Sequence, residues 1–469
     1  MFTLCRRRMA DKMVTGICRD DLAICEASYA VCRKNINAYK IPRSLGKETL
    51  YDLFKLLFMK SNLTYALTSV SILLLFFVSC KKENPGQHEF PGKEGYEKTF
   101  KKVRVSNLTE LYVAINDPSN TNSQIELSPG TYTLSPDYPN AGRLELLENM
   151  VLVGKPGHEE AVIIDASALP GTSFTPPNNF PTGRTGAIRM GKGYNAIEWL
   201  TVKGNASAQA LSAIETDIIS QAVAQVKIAH VKVSGARIGI DLRNGGTASA
   251  GRTLEAELEE NEITENLVQF GQGLEIQNAN GASGAIIRAE LHGNYVHGNK
   301  LGLRAFNNNA NGTNTNDGLI TIQSYSDRFE ENGVGVFLGA GLSQLLSTTG
   351  ANNNSLSFEA HATTIKNNLG ELPPENEPNC GIYAVGGLSI TGGSTSNNTL
   401  SVKLWSCPFS NNNGADIIAF GALSNSAIPA GTDNTAEIFL EGVSKKASVT
   451  ATASMPVEPA GTNVVNIIR

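Results

Sequence analysis

The sequence predicts an all-β fold: a right-handed parallel β-helix, a solenoid with three short strands per coil and an N-terminal capping helix. Three observations predict it. A six-residue element with an apolar third residue and a closing Asn recurs from Leu200 to Asn412. Alternating segments precede each copy and Gly-led segments follow it. The composition, with 45 Gly, many Asn and only 7% aromatics, suits short strands joined by many turns.

The 469-residue chain opens with a segment that stands apart from this pattern. From Met59 it reads Met-Lys-Ser-Asn, then an apolar run through Ser71–Ser79, then Cys80-Lys-Lys. A basic start, a short apolar stretch and a small residue at the boundary have the form of a signal peptide. Cys80 after Val78-Ser79 resembles a bacterial lipobox. That resemblance implies cleavage, diacylation of Cys80 and membrane attachment at the bacterial cell envelope, at the outer membrane or cell surface. On this reading residues 1–58 are an upstream extension, 59–79 the signal peptide and 80–102 a polar tether containing Pro85, Gly86, Pro91 and Gly92. The β-helix then spans 103–442, and 443–469 form a C-terminal cap or tail.

Without residues 1–79 the chain carries 27 Lys+Arg against 38 Asp+Glu, a net charge of −11. An acidic exported body argues against nucleic acid as a partner and makes a polyanionic ligand less natural. Only Cys80, Cys380 and Cys407 remain, which excludes a disulfide scaffold.

The ordered body begins with Leu108, Leu111, Tyr112 and Ile115 at helical spacing, after Asn107 and before Glu110 in capping-box style. A strand at Gln124–Leu127 and the run Pro129-Gly-Thr-Tyr-Thr-Leu134 follow. A stacked coil needs its open end covered, and an amphipathic helix does that.

The repeat elements close at Asn205, Ala236, Asn266, Asn299, Asn332, Asn368 and Asn412, at intervals of 31, 30, 33, 33, 36 and 44 residues. Equivalent residues of stacked coils lie about 4.8 Å apart, so these asparagines are expected to form an internal amide ladder, architecture rather than chemistry. Gly-, Ser-, Thr- and Asn-rich connections such as Gly245–Gly251 and Asn307–Asp317 follow the third strand and leave from one corner of the coil.

From Val103 to Phe420 the chain resembles the pectin-lyase-like superfamily in its helix, its Pro-Gly-Thr-Tyr turn and its coil-length repeat. The resemblance implies a substrate groove along the first sheet. Alternation points Ile228, Leu258, Leu291 and Leu404 inward, which leaves two outward columns. One holds Lys227, Glu257, Glu290, Gln323, Glu359 and Lys403. The other holds Ala229, Glu259, His292, Tyr325, His361 and Trp405. Aromatic faces stack on sugar rings, and His and Tyr move protons near neutral pH. Glu290, His292, Tyr325 and His361 are therefore the candidate catalytic residues for β-elimination or hydrolysis. Glu257, Glu259, Glu359 and Trp405 are candidate contacts to a polysaccharide or other surface glycan.

A rival column on the third strand runs Glu215, Asp241, Glu275, Arg304, Phe337, Tyr383. Its carboxylates could hold calcium, although solvated charge is the plainer expectation. Between Val103 and Phe420 the superfamily's Gly-His-Gly, Asp-Asp and Trp-x-Asp-His motifs are absent. Two functions stay open: a polysaccharide lyase or glycoside hydrolase, and a non-catalytic surface adhesin or structural protein using the same face.

Overall fold

The computed structural model describes residues 100–170, 185–205, 211–216, 221–267, 271–309, 315–343, 350–369, 380–389, 393, 395–424, 431–443, 447–455 and 463–469. The upstream extension, signal peptide, Cys80 and nearly all of the tether lie outside them, as do parts of the loops after the third strands. Among the described residues no helix is long and apolar enough to cross a membrane.

The body is a parallel β-solenoid, and every strand pairing in it is parallel and joins one coil to the next. In a middle coil the first strand is Leu319–Tyr325, the second Arg328–Glu330 and the third Val334–Ser343. Three strands per coil is the predicted count. The first two rows nonetheless merge into one hydrogen-bonded sheet, because Tyr194–Lys203 and Val223–Ser234 run through both without a break. The third strands form a separate ten-stranded sheet.

Helix α1 (Leu108–Asn116) buries Leu111, Tyr112, Ala114 and Ile115 in the same core as the coils. Its start departs slightly from the expected box. The Asn107 side chain accepts from Glu110 N–H (3.0 Å), but Glu110 accepts from the backbone N–H of Ser106 (2.8 Å), one residue before the cap.

The interior is apolar along the predicted inward row, where Ile228, Leu258, Leu291 and Leu404 are at most 1% exposed. Hydrogen-bonded columns mark the corners. The predicted ladder is present from Asn266 onward: Asn266, Asn299, Asn332 and Asn368 each pass a side-chain N–H to the next amide oxygen, at 2.9–3.4 Å, and Asn412 ends the run by donating to Asp416 at 2.9 Å. A second column runs through Asn261, Asn294 and Asp327, and a third through Asn354, Asn398, Asn434 and Asn463.

The glycines that open the third strands belong to this design. A Cβ on Gly302 or Gly335 would meet the next coil's carbonyl at 2.4 or 2.7 Å and a ladder amide nitrogen at 2.9 or 2.8 Å. Only glycine lets the backbone pass that close to the ladder.

Between the first and second strands the chain turns through one left-handed residue per coil: Trp199, His230, Glu260, Gly293, Ser326, Ala362, Ser406 and Gly442, with φ between 50° and 66°. Six of the eight are not glycine, and two are bulky. Each costs about 1–2 kcal/mol relative to ordinary backbone, offset by the strand pairs and ladders on either side.

Strands Val449–Met455 and Val464–Ile468 continue the third and first rows, and the second leaves Val464, Ile467 and Ile468 exposed. Cys380 and Cys407 are both buried.

Candidate functional site

The outward columns of the first sheet stand in the expected register. Lys227, Glu257, Glu290, Gln323, Glu359 and Lys403 are successive partners, and so are Ala229, Glu259, His292, Tyr325, His361 and Trp405. Because each strand alternates, the two columns flank a row of buried residues and share one solvent-facing side.

The second column forms a stack. Ring centroids are 5.0 Å apart for His292–Tyr325, 5.1 Å for Tyr325–His361 and 4.5 Å for His361–Trp405, with interplanar angles of 8°, 10° and 2°. Phe439 continues it in a tilted contact at 6.0 Å. The coil spacing itself produces this, since rings on adjacent strands at 4.8 Å fall into parallel offset contact.

The stack changes what the rings can do. The two faces of Tyr325 and of His361 are turned to neighbouring rings, so sugar stacking on those two faces is not open to them. What they present to solvent is their edges: imidazole nitrogens and a phenol hydroxyl.

The first column supplies carboxylates to those edges. His292 Nε2 lies 3.4 Å from Glu290 Oε2, and His361 Nε2 lies 3.1 Å from Glu359 Oε1. Tyr325 therefore sits between two His–Glu pairs, one on the coil before and one on the coil after. Its own strand has the neutral Gln323 in the matching place. The four candidate catalytic residues are brought together, and Glu359, a candidate binding contact, lies among them beside His361.

The electrostatics favour proton donors. The hydrogen bond to Glu290 raises the His292 pKa, burial opposes it, and the charges of Glu290, Asp327 and Glu257 add to the rise. Burial, then the charges of Glu290 and Glu359, raises Tyr325 and keeps it a phenol.

Glu257 and Glu259 occupy a second, ion-paired patch two coils earlier. Lys227 Nζ reaches Glu259 at 2.9 Å and Glu257 at 3.4 Å. Burial works against the ammonium, but these bonds hold its pKa up at about 12. The same bond from Lys227 lowers Glu259.

Sequence reasoning began the columns one coil too late. Glu198 pairs with Ala229 in register and extends the second column. Its pKa is raised by burial against the pull of Lys227 and His230. Beside it, Trp199 stacks on His230 at 3.7 Å and 11°, and His230 Nδ1 lies 3.3 Å from Glu260 Oε2. Glu198-Trp199 immediately precede Leu200, so carrying the alternation back one strand would have found them.

The rival column requires a correction. Glu215, Asp241 and Glu275 are in register as expected, but each is 0% exposed rather than solvated. Arg243 lies 4.0 Å from Glu215 and Arg304 lies 3.8 Å from Glu275, while Gln277 donates to Asp241 at 3.3 Å. Cations interleave with the carboxylates, so these acids already have countercharge where a calcium site needs oxygens turned to one point. Among the described residues no group of three or more His, Cys, Asp or Glu is arranged to hold a metal ion.

No family model matches the chain, and no curated protein matches it. Among solved structures it is similar to the A-module of Azotobacter vinelandii mannuronan C-5 epimerase AlgE4, at 12% identity and TM-score 0.37, over 77% of this chain and 96% of that one. It is also similar to the AlgE6 A-module (15%, TM-score 0.32, 76% and 97%). A third is the pectate lyase Pel9A (10%, TM-score 0.33, 77% and 82%). At these values the likeness reaches no further than the coil, which the strand pairings establish without it.

Proposed function

We propose that the outer face of the first sheet binds an extended polysaccharide and that Tyr325, between His292 and His361, acts on it by proton transfer. The observation that carries this reading is the pair of His–carboxylate contacts on either side of one half-buried phenol. Alternation alone would have produced a mixed polar face, not two such pairs on the coils flanking a tyrosine. The chemistry fits lysis or hydrolysis, both of which need a proton delivered to a leaving oxygen.

The charge of the face narrows the ligand. Lys227, Arg288 and Lys403 stand against Glu198, Glu255, Glu257, Glu259, Glu290, Glu359, Glu437 and Glu441 on its outward rows. An excess of carboxylates repels polyuronates, so the favoured substrate is a neutral or amino-sugar chain. The test is a panel of neutral, amino-sugar and uronic-acid polysaccharides, followed by new reducing ends and unsaturated products. Tyr325→Phe is expected to keep glycan affinity within about threefold and to lose at least about 100-fold in turnover. Absence of turnover by the unsubstituted protein on the whole panel would sink the catalytic reading.

A non-catalytic surface binder is the second reading, and the closed ring stack favours it, because those rings stabilise one another whatever the face contacts. Binding without turnover, unaffected by Tyr325→Phe, would select it. We further propose that Cys80 anchors the body to a membrane of the bacterial envelope. Metabolic labelling with palmitate should mark the protein, and Cys80→Ser should abolish the label.

A further inference from the structure

We propose that Thr264, His297 and Glu262 form a second centre, on the second strands, in which a nucleophilic hydroxyl cleaves small acyl esters. It lies apart from the ring column and does not rest on the function proposed for the first face.

Register brings the three residues together. Glu262 and Thr264 stand two apart on strand Glu262–Thr264, so alternation turns both outward on either side of the buried Ile263. On the next coil His297 is the partner of Thr264, and Tyr295 is the partner of Glu262. From that place the imidazole reaches both residues of the earlier strand. Its Nδ1 lies 3.4 Å from Thr264 Oγ1, and its Nε2 lies 3.3 Å from Glu262 Oε1. With the ring proton on Nε2, His297 donates to the carboxylate and accepts from the hydroxyl. That is the order of nucleophile, base and orienting carboxylate that acyl transfer needs. Elsewhere in these rows the hydroxyls of Ser234, Thr364 and Ser410 stand opposite a lysine, an arginine or another hydroxyl.

A further contact holds each member in place. Lys232 Nζ meets both oxygens of Glu262 at 2.9 Å. Burial raises the Glu262 pKa, but the bonds from Lys232 and His297 outweigh it and bring it below the ordinary value, so the group is a carboxylate near neutral pH. The Tyr295 ring stacks on the imidazole at 3.9 Å and 15°, and Arg328 covers Tyr295 at 4.0 Å from the ring centre. His297 cannot swing away from the hydroxyl without giving up that stack.

Gly298 keeps the hydroxyl approachable. It turns the corner directly after His297 with φ 62°, where the neighbouring coils carry Glu265 and Glu331. A Cβ on Gly298 would meet Thr264 Oγ1 at 3.3 Å, so any side chain there would crowd the nucleophile. Thr264 is 6% exposed, and such narrow access restricts the acyl group to a small one such as acetyl.

In the reaction Thr264 Oγ1 adds to the ester carbonyl carbon as its proton passes to His297 Nδ1. The bond from that carbon to the alcohol oxygen breaks, and the departing oxygen takes the proton. Water then adds to the acyl-threonine carbonyl and gives a proton to the same nitrogen. The bond between Oγ1 and the acyl carbon breaks, which restores the hydroxyl and releases the carboxylic acid.

The test treats the full chain with p-nitrophenyl acetate. Release of p-nitrophenolate is followed optically, and acid-quenched protein is digested for mass spectrometry. One acetyl group is expected on the peptide carrying Thr264. Release above the uncatalysed background should fall at least about tenfold in Thr264→Val and in His297→Gln, and stay within about threefold in Thr264→Ser, which keeps a hydroxyl. Where a variant does not fold, the acetylated residue of the unsubstituted protein decides. No acetyl on Thr264, acetyl confined to lysines, or unchanged release by folded Thr264→Val would each overturn the proposal.

Discussion

The outer faces of the first and third sheets are built by the same alternation, yet they meet different surroundings. Both carry in-register columns of carboxylates, cations and aromatics. On the first, His292 and His361 keep 39% and 32% of their side-chain surface. On the third, Glu215, Asp241 and Glu275 keep none, and the charged rungs give way to a buried cluster of Phe306, Phe337, Tyr383 and Phe420. Arg304 sits at the junction, its guanidinium 4.3 Å from the centre of the Phe306 ring. Alternation decides which side of a sheet a residue takes. Whether that side meets water depends on the rest of the chain.

Energetically, then, like-looking pairs should differ. Arg304→Met removes the cation beside a fully buried Glu275 and should cost about 3–5 kcal/mol of stability. Lys227→Met breaks two ion pairs with Glu257 and Glu259 on the half-exposed face and should cost less than about 1 kcal/mol. Urea denaturation of both variants measures the contrast. Equal losses would mean that the first face is as dry as the third.

Within the core, Asp327 gives the comparison a pH axis. Its folded pKa is raised above the ordinary aspartate value, so the folded state binds the extra proton between roughly pH 4 and 6. Its contribution is therefore greatest below pH 4 and is lost as pH rises towards and past 6, by on the order of 3 kcal/mol for a shift of about two pKa units. Asp327→Asn should flatten that slope in a series of melts. Asn332→Ala should cost a pH-independent amount, about 2–4 kcal/mol. It strands the Asn299 backbone N–H and removes bonds to the Asn299 side chain, the Val296 carbonyl and Asn368.

How much of this was legible in the sequence follows from what each feature depends on. The Asn266–Asn412 ladder and the His292–Trp405 column were readable because coil period and strand alternation together fix neighbour and side. The Asn261–Asn294–Asp327 column was visible as letters, but its closure by the Ser324 hydroxyl, which donates to Asp327 Oδ2, was not, since Ser324 reads as a gap in an apolar row. Cross-strand pairing of the rings was legible, but their parallel stacking was not. The register says which rings are neighbours, while their tilt depends on the 4.8 Å rise and on which edges find carboxylates. The burial of Glu215, Asp241 and Glu275 has no local signal at all.

The left-handed corners are the least legible feature, because glycine marks only Gly293 and Gly442 among the eight. They also give the smallest and cleanest test. Ala362 holds φ at 51° directly after His361, whereas Gly293 holds φ at 66° directly after His292. A Cβ on Gly293 would meet only the Glu260 Cγ, at 3.6 Å, so there is room for it and backbone strain is the main cost. Ala362→Gly should therefore gain about 0.5–1 kcal/mol, the relief of strain outweighing the added freedom of the unfolded chain, and Gly293→Ala should lose about as much. Neither touches the ring stack, so glycan affinity should hold in both. If Gly293→Ala weakened binding while Ala362→Gly did not, the corner would be aiming His292 as well as turning the chain, and the first face would owe its geometry to strain as much as to register.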